Sequence, residues 1–198
     1  MALSNIQQAA KAVKNGWLVV YPTDTLYALG ASIFNVDAVQ HVFEVKNRPL
    51  NIPLPVAVES IDQIGIIAEF NSNASALANH FLPGNLTLIL PKKSVVSSVI
   101  TAKKDSIAVR IPADETALCL LSLTGPLTVT SANIHQRKTP ETVRQIKNMF
   151  NTELIAFYLD EGRRSAIPST IVDLTHSSPC IIREGEITAD EINSVIHS

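Results

Sequence analysis

Apolar side chains recur along this chain at two spacings, one near the helical period and one at the strand period or in short unbroken runs. Ile6, Ala9, Ala10 and Val13 share a helical face, with Ser4 placed as its cap and Gly16 as its stop. A buried strand is expected at 17–21, ended by Pro22 and followed by the polar turn Thr23-Asp24-Thr25. Val39, Val42 and Phe43 restore helical spacing over 36–46. Residues 54–58 read as a strand, Ser60 and Gln63 form a capping box for a short helix, and 71–81 sets Ala74, Leu77, Ala78 and Phe81 along one side of another. Strands follow at 86–90, 107–111 and 127–130, with a helix capped by Asp114 between the last two. Thr139 and Pro140 open a helix running to Phe150, and strands return at 154–159, 169–174 and 180–183. Thr188 and Glu191 then box a terminal helix.

Strands interleaved with helices define an α/β fold. Several strand-to-strand connections contain no helix, so the twisted sheet is expected to mix parallel and antiparallel pairs. The 198 residues, 46% of them hydrophobic, suit one domain over 1–198. Sixteen Lys and Arg against eighteen Asp and Glu give a net charge of −2, which argues against nucleic acid as the main ligand. No basic-then-apolar leader opens the chain and no apolar run approaches the ~18 residues of a membrane span, so the expectation is a cytoplasmic protein without membrane association. Cys119 and Cys180 lie in apolar surroundings and read as buried reduced thiols. The five histidines lack ligand spacing, so no structural metal is expected.

Two polar clusters carry candidate chemistry. In an extended segment residues i and i+2 share a face, so Lys46 with Arg48, and Ser131 with Asn133, could each present paired donors to an anionic ligand, with Pro49 keeping Arg48 out of the helical region. By spacing alone, a solvated cation pair near a helix end and a capped turn account for them as well. The seven glycines never cluster, so there is no phosphate-binding glycine loop, and no G-x-S-x-G elbow or Cys/His pairing for covalent catalysis is present.

Seven short motifs, in order, resemble the YrdC-like threonylcarbamoyl-AMP synthases across nearly the whole chain. They are the segment from Tyr21-Pro22-Thr23-Asp24-Thr25 to Gly30, Lys46-Asn47-Arg48-Pro49, Pro83-Gly84-Asn85-Leu86-Thr87, Ala108-Val109-Arg110-Ile111-Pro112, Thr130-Ser131-Ala132-Asn133, Pro168-Ser169-Thr170-Ile171-Val172-Asp173 and Ile182-Arg183-Glu184-Gly185. The resemblance implies a concave active site in which L-threonine, bicarbonate and ATP give threonylcarbamoyl-AMP and pyrophosphate. That product is the precursor of N6-threonylcarbamoyladenosine at tRNA position 37, and a downstream threonylcarbamoyl transferase is an implied partner.

Carried over motif by motif, Lys46, Arg48, Ser131 and Asn133 are the catalytic set. These four with Ser106, Thr139 and Arg183 would hold ATP, while Thr25, Arg110, Val129 through its backbone and Ser169 would hold threonine, Arg110 clamping its carboxylate at two points. Mg²⁺ is expected to accompany ATP rather than sit in a protein cage. No general base is identified; Asp24 and Asp173 fit turn or structural roles equally. The chain also departs from the family pattern. Ile134-His135 replaces Ser-Gly after Asn133, Ala28 replaces a glycine, and Ile52 and Ala57 stand where some relatives carry polar residues, so the loop after Asn133 is expected to differ locally. Ending soon after Arg183, the chain is expected to lack the further domain of the longer synthases. Two other readings stay open: an RNA-binding, translation-associated module using Arg137, Lys138, Arg144 and Lys147 for a weak tRNA or RNA contact, and a carbamoyl-transfer domain like that of hydrogenase-maturation proteins.

Overall fold

The computed structural model describes residues 3–197. Its elements begin with α1 (Leu3–Lys14), β1 (Leu18–Tyr21), β2 (Ala28–Gly30), α2 (Val36–Lys46), β3 (Val56–Ala57), α3 (Ile61–Ile67) and α4 (Ser72–Phe81). They continue with β4 (Leu86–Pro91), β5 (Ser106–Arg110), α5 (Glu115–Thr124), β6 (Leu127–Thr128), β7 (Thr130–Ser131), α6 (Val143–Met149), β8 (Ile155–Tyr158), β9 (Thr170–Asp173), β10 (Cys180–Arg183) and α7 (Ala189–Ile196). Local chemistry explains most helix starts. Asn35, Ser60, Asn71, Asp114 and Thr142 each accept a hydrogen bond from the backbone N–H three residues on, and Thr188 and Glu191 complete the expected capping box. Two starts differ from expectation. Ser4 lies inside α1 instead of capping it, and α6 begins beyond Pro140 because Thr142 takes the cap, leaving Thr139 in a loop.

The strands form two mixed sheets rather than one. Four strands run in the order β7-β2-β1-β8 and six in the order β10-β9-β4-β5-β3-β6. Each contains parallel and antiparallel pairs: β1 is antiparallel to β2 and parallel to β8, and β4 is antiparallel to β5 and parallel to β9. The single strand expected at 127–130 is divided between them. Thr128 pairs with Val56 in the larger sheet, whereas Thr130 pairs with Leu29 in the smaller one. Thr128 causes the switch. Its N–H donates to the Ala31 carbonyl, its hydroxyl bridges the Leu29 carbonyl and the Ala31 N–H, and its own carbonyl receives the Tyr21 hydroxyl at 2.9 Å. Val129, alone at the crossing, donates its N–H to Pro55.

Strand β1 shows how the core is divided. All four of its residues are buried, and the period of two sends Leu18 and Val20 into one cluster with α2, α3, α4 and α6, while Val19 and Tyr21 enter a second with α1 and α5. Trp17, expected to begin this strand, is 44% exposed. The cysteine expectation is corrected too: Cys119 is only half-buried, and Cys180 is exposed because it lies on the edge strand β10, most of whose residues face solvent. Among the described residues no helix is long and apolar enough to cross a membrane.

Candidate active site

One face of the larger sheet forms a floor. By strand alternation, Thr87 and Ile89 of β4, Ser106, Ala108 and Arg110 of β5, and Ile171 and Asp173 of β9 line a cavity of about 570 Å³. Thr25, Tyr27, Ala28, Thr130 and Ser131 approach from the smaller sheet and its leading turn, and Arg48, Leu54, Thr139, Ser169 and Arg183 complete the walls. Of the candidate residues drawn from the motifs, Thr25, Arg48, Ser106, Arg110, Val129, Ser131, Thr139, Ser169 and Arg183 all lie on this one cavity. Lys46 and Asn133 do not.

Both are turned inward to hold the wall. Lys46 is the last residue of α2, and Asn47 caps that helix in the left-handed region at φ 49°, so 46–48 is not the extended pair that the spacing suggested. The Lys46 ammonium, 1% exposed, donates to the Ser131 carbonyl at 2.5 Å, the Asn133 carbonyl at 2.7 Å and Asn133 Oδ1 at 3.2 Å. Those acceptors match its three hydrogens. Ser131 Oγ also donates to Asn133 Oδ1, and Asn133 Nδ2 donates to the Arg137 carbonyl, both at 2.6 Å. The i and i+2 side chains therefore meet each other. After Asn133 the loop closes without glycine: Gln136 takes the left-handed region at φ 64°, and His135 N–H bonds the Lys46 carbonyl. Ile52 offers its carbonyl to Arg48 Nε, and Ala57 packs fully buried in the second core cluster, away from the cavity.

Burial, reinforced by the Arg48 charge, pushes the Lys46 pKa down to about 7. An unfolded lysine titrates at ~10.4, so between the two values the unfolded chain holds a proton that the native state has released. The contribution of Lys46 to stability is therefore lowest below about pH 7 and rises as the pH climbs toward ~10.4. Lys46→Met should cost about 1–3 kcal/mol by stranding three oxygens, with the gap from wild type widening between pH 6 and pH 9 in urea denaturation. A constant gap would show that Lys46 titrates alike in both states.

Arg110 ends β5, 6% exposed. Its Nη2 donates to both Asp24 oxygens at 2.6 and 2.8 Å and to the Gly84 carbonyl at 3.2 Å, while Nη1 reaches only Thr25 Oγ1 at 3.5 Å and Nε has no partner among the described residues. A carboxylate clamped at two points would have to share Nη2 with Asp24. The turn before it is set by Thr23, whose hydroxyl accepts from the N–H groups of Thr25 and Leu26, donates to the Leu26 carbonyl and sits 3.0 Å from the Thr25 hydroxyl. Arg183 reaches back from β10 to the Ser169 carbonyl through Nε at 3.1 Å and Nη2 at 2.7 Å, and Ser169 Oγ lies 2.9 Å from Thr87 Oγ1. Arg48 Nη2 donates to the Pro53 carbonyl at 2.8 Å. Burial lowers the pKa of all three guanidiniums, yet such groups stay charged at any working pH.

Four cations, Arg48, Lys104, Arg110 and Arg183, face this cavity with a single carboxylate, Asp173. Lys104 and Ile89 fall outside the motifs, and Tyr27, Ala108 and Ile171 lie inside them without having been singled out as site residues. Strand alternation from Arg110 and Ser169 points to Ala108, Ile171 and Asp173, but nothing local marks Lys104. Tyr27 braces the rim, its hydroxyl donating to the Gly162 carbonyl at 2.7 Å and accepting from Glu161 N–H at 2.9 Å.

Fold and site together describe an α/β domain with an anion-receptive cavity where its two sheets meet. The family model described as telomere recombination, built on the Sua5, YciO and YrdC proteins, matches residues 11–185, and the chain belongs to that family. The threonylcarbamoyl-AMP synthase of Pyrococcus abyssi is 40% identical over 194 residues, covering 96% of this chain and 57% of its own length. That of Bacillus subtilis is 34% identical over 195 residues, covering 96% and 56%. The crystal structure of P. abyssi Sua5 complexed with L-threonine superposes with a TM-score of 0.90 at 39% identity, covering 96% of this chain and 57% of that one. The chain thus spans little more than half the length of these relatives.

Proposed function

We infer that this chain is a nucleotidyltransferase that converts L-threonine, bicarbonate and ATP to threonylcarbamoyl-AMP and pyrophosphate. The observation that carries the reading is the meeting, on one cavity, of nine candidate residues from six separate motifs and the segments beside them. Threonine and bicarbonate form N-carboxythreonine with loss of water, and its carbamate oxygen attacks the α-phosphorus of ATP while the bond to pyrophosphate breaks. Charge builds on phosphate oxygens in that step, and no covalent nucleophile is needed. Arg48 and Arg183 are suited to stabilise it, Arg110 and Thr25 to orient threonine, and Ser131, whose hydroxyl proton goes to Asn133 Oδ1, forms part of the wall beside them. Lys46 and Asn133 serve by fixing Ser131. One carboxylate cannot cage Mg²⁺, so the ion fits as a companion of ATP held by phosphate oxygens and water. The product would pass to a transferase acting at tRNA position 37, in the cytoplasm.

The RNA-binding alternative gains less support. Lys147, one of its proposed cations, lies 4.8 Å from the Tyr158 ring centroid, a placement that occupies it locally. Purified protein given Mg²⁺ and ATP should release pyrophosphate only when L-threonine and bicarbonate are both present. Folded protein that releases none, or releases it without threonine, would overturn the synthase reading.

A further inference from the structure

Among the described residues Asp173 is the one acidic side chain on the cavity, and its surroundings give its two oxygens different tasks. Oδ1 accepts from the Thr175 N–H at 2.9 Å and from the Thr175 hydroxyl at 2.6 Å. These two bonds fix the carboxylate at the end of β9 and leave Oδ2 without a partner among the described residues. A half-buried carboxylate oriented by one atom, with the other unpaired at a cavity wall, is suited to accept from a ligand.

The strand register shows what the ligand would lie on. Ile89 is opposite Ala108 on one side and Asp173 on the other, so Ala108, Ile89 and Asp173 form one row across three adjacent strands. Strands spaced ~4.8 Å apart put Ala108 and Asp173 about 10 Å from each other, with the Ile89 side chain between them. Ile171 flanks this row and Ile182 stands at its outer edge, all of them on the cavity. Small and branched apolar side chains with a polar reader at one end make a platform for a flat heteroaromatic ring. Arg110 stands two residues along β5 from Ala108 and Arg183 lies opposite Ile171, so these two guanidiniums border the strip, while Arg48 and Lys104 reach the cavity from outside the strands.

We propose that Asp173 is the base-reading residue of this cavity, its Oδ2 accepting a hydrogen bond from the exocyclic amine of an adenine laid on the Ile89-Ala108-Ile171 strip. The inference rests on the reading that ATP occupies the cavity. One open oxygen suits one donor. The N6 amine of adenine provides a donor, whereas the O6 of hypoxanthine or guanine would set one acceptor against another. Two-point pairing with the N1 and N2 hydrogens of guanine would need Oδ1, which Thr175 already occupies.

Asp173→Asn is the informative change, because its amide oxygen can keep both Thr175 bonds while its nitrogen replaces the open acceptor with a donor. Binding of ATP, inosine triphosphate, purine riboside triphosphate and 2′-deoxy-ATP would be measured by calorimetry with Mg²⁺, omitting threonine and bicarbonate. Wild type should bind ATP about ten- to a hundred-fold more tightly than either 6-modified nucleotide and should bind 2′-deoxy-ATP like ATP. Asp173→Asn should weaken ATP by a similar factor and spare or improve inosine triphosphate, reversing the preference. Equal loss for every nucleotide, no loss, discrimination against 2′-deoxy-ATP, or an altered Mg²⁺ requirement in place of an altered base preference would each overturn the assignment. Should the variant not fold, the wild-type comparison of ATP with purine riboside triphosphate decides alone. A chain that shows this preference yet makes no pyrophosphate fails only the synthase reading, and one that makes pyrophosphate without base preference fails only this inference.

Discussion

Arg110→Ala is expected to abolish threonine-dependent turnover and to lower thermal stability together. The guanidinium is the ionic partner of Asp24, whose side chain is only 10% exposed, and its loss strands a carboxylate in a nearly dry site. Breaking a buried pair from one side typically costs about 3–5 kcal/mol, which for a chain of this size lowers the melting temperature by roughly 6–20 °C. The two effects can be separated. Adding Asp24→Asn removes the stranded charge, so the double variant should regain most of the stability while remaining unable to use threonine. Arg110→Lys should also fall short, since a single ammonium cannot meet Asp24, the Gly84 carbonyl and Thr25 from one plane. Melting curves and threonine titrations at saturating ATP would test the pair; a double variant that recovers threonine use would remove Arg110 from the amino-acid half of the site.

Gly185→Ala should be nearly as severe, although the residue does not line the cavity. A Cβ there would lie 2.0 Å from the Pro168 carbonyl oxygen, 2.7 Å from the Ser169 carbonyl carbon and 2.8 Å from the Thr170 nitrogen. All three are backbone atoms and none can rotate aside. The strand entry at Ser169 must move, and with it the carbonyl that Arg183 grips and the Thr170 hydroxyl that accepts from Gly185 N–H. A loss of about 3 kcal/mol, the upper end of what overpacking a core costs, is expected in urea denaturation. Wild-type stability would mean that 183–186 and 168–170 lie farther apart than described. By contrast, Gly65→Ala meets nothing within 4 Å and serves as the control.

These contacts show what the sequence could reveal and what it could not. Helix α2 and strand β10 match their expected limits because their signals are local: apolar spacing, a cap, and a run of branched residues. Strand β2 escaped notice because three residues carry too little pattern, and its pairing with Ser131 and Thr130 lies a hundred residues along the chain. The polar clusters teach the same lesson from the other side. Spacing singled out Lys46, Arg48, Ser131 and Asn133 but gave them the wrong geometry, since Lys46 ends α2 on the buried face of Val39, Val42 and Phe43, Asn47 in the left-handed region breaks the extended path to Arg48, and three distant acceptors hold the ammonium inward. No period in a sequence encodes such a partnership. Motif order brought nine residues of the cavity together, whereas Lys104 lies in no motif, and the row that joins Ala108, Ile89 and Asp173 required the register of the larger sheet.

The crossing at Val129 sets a rule about counting. A single residue separates Thr128, committed to one sheet, from Thr130, committed to the other, and successive strand side chains point to opposite faces. One residue inserted there would present Thr130 where Ser131 now stands, and one deleted would present Ala132, with every other amino acid unchanged. The side chain at 129 is free to vary more than the number of peptide units around it, so insertions belong in the outer loops of this architecture and never at its seam.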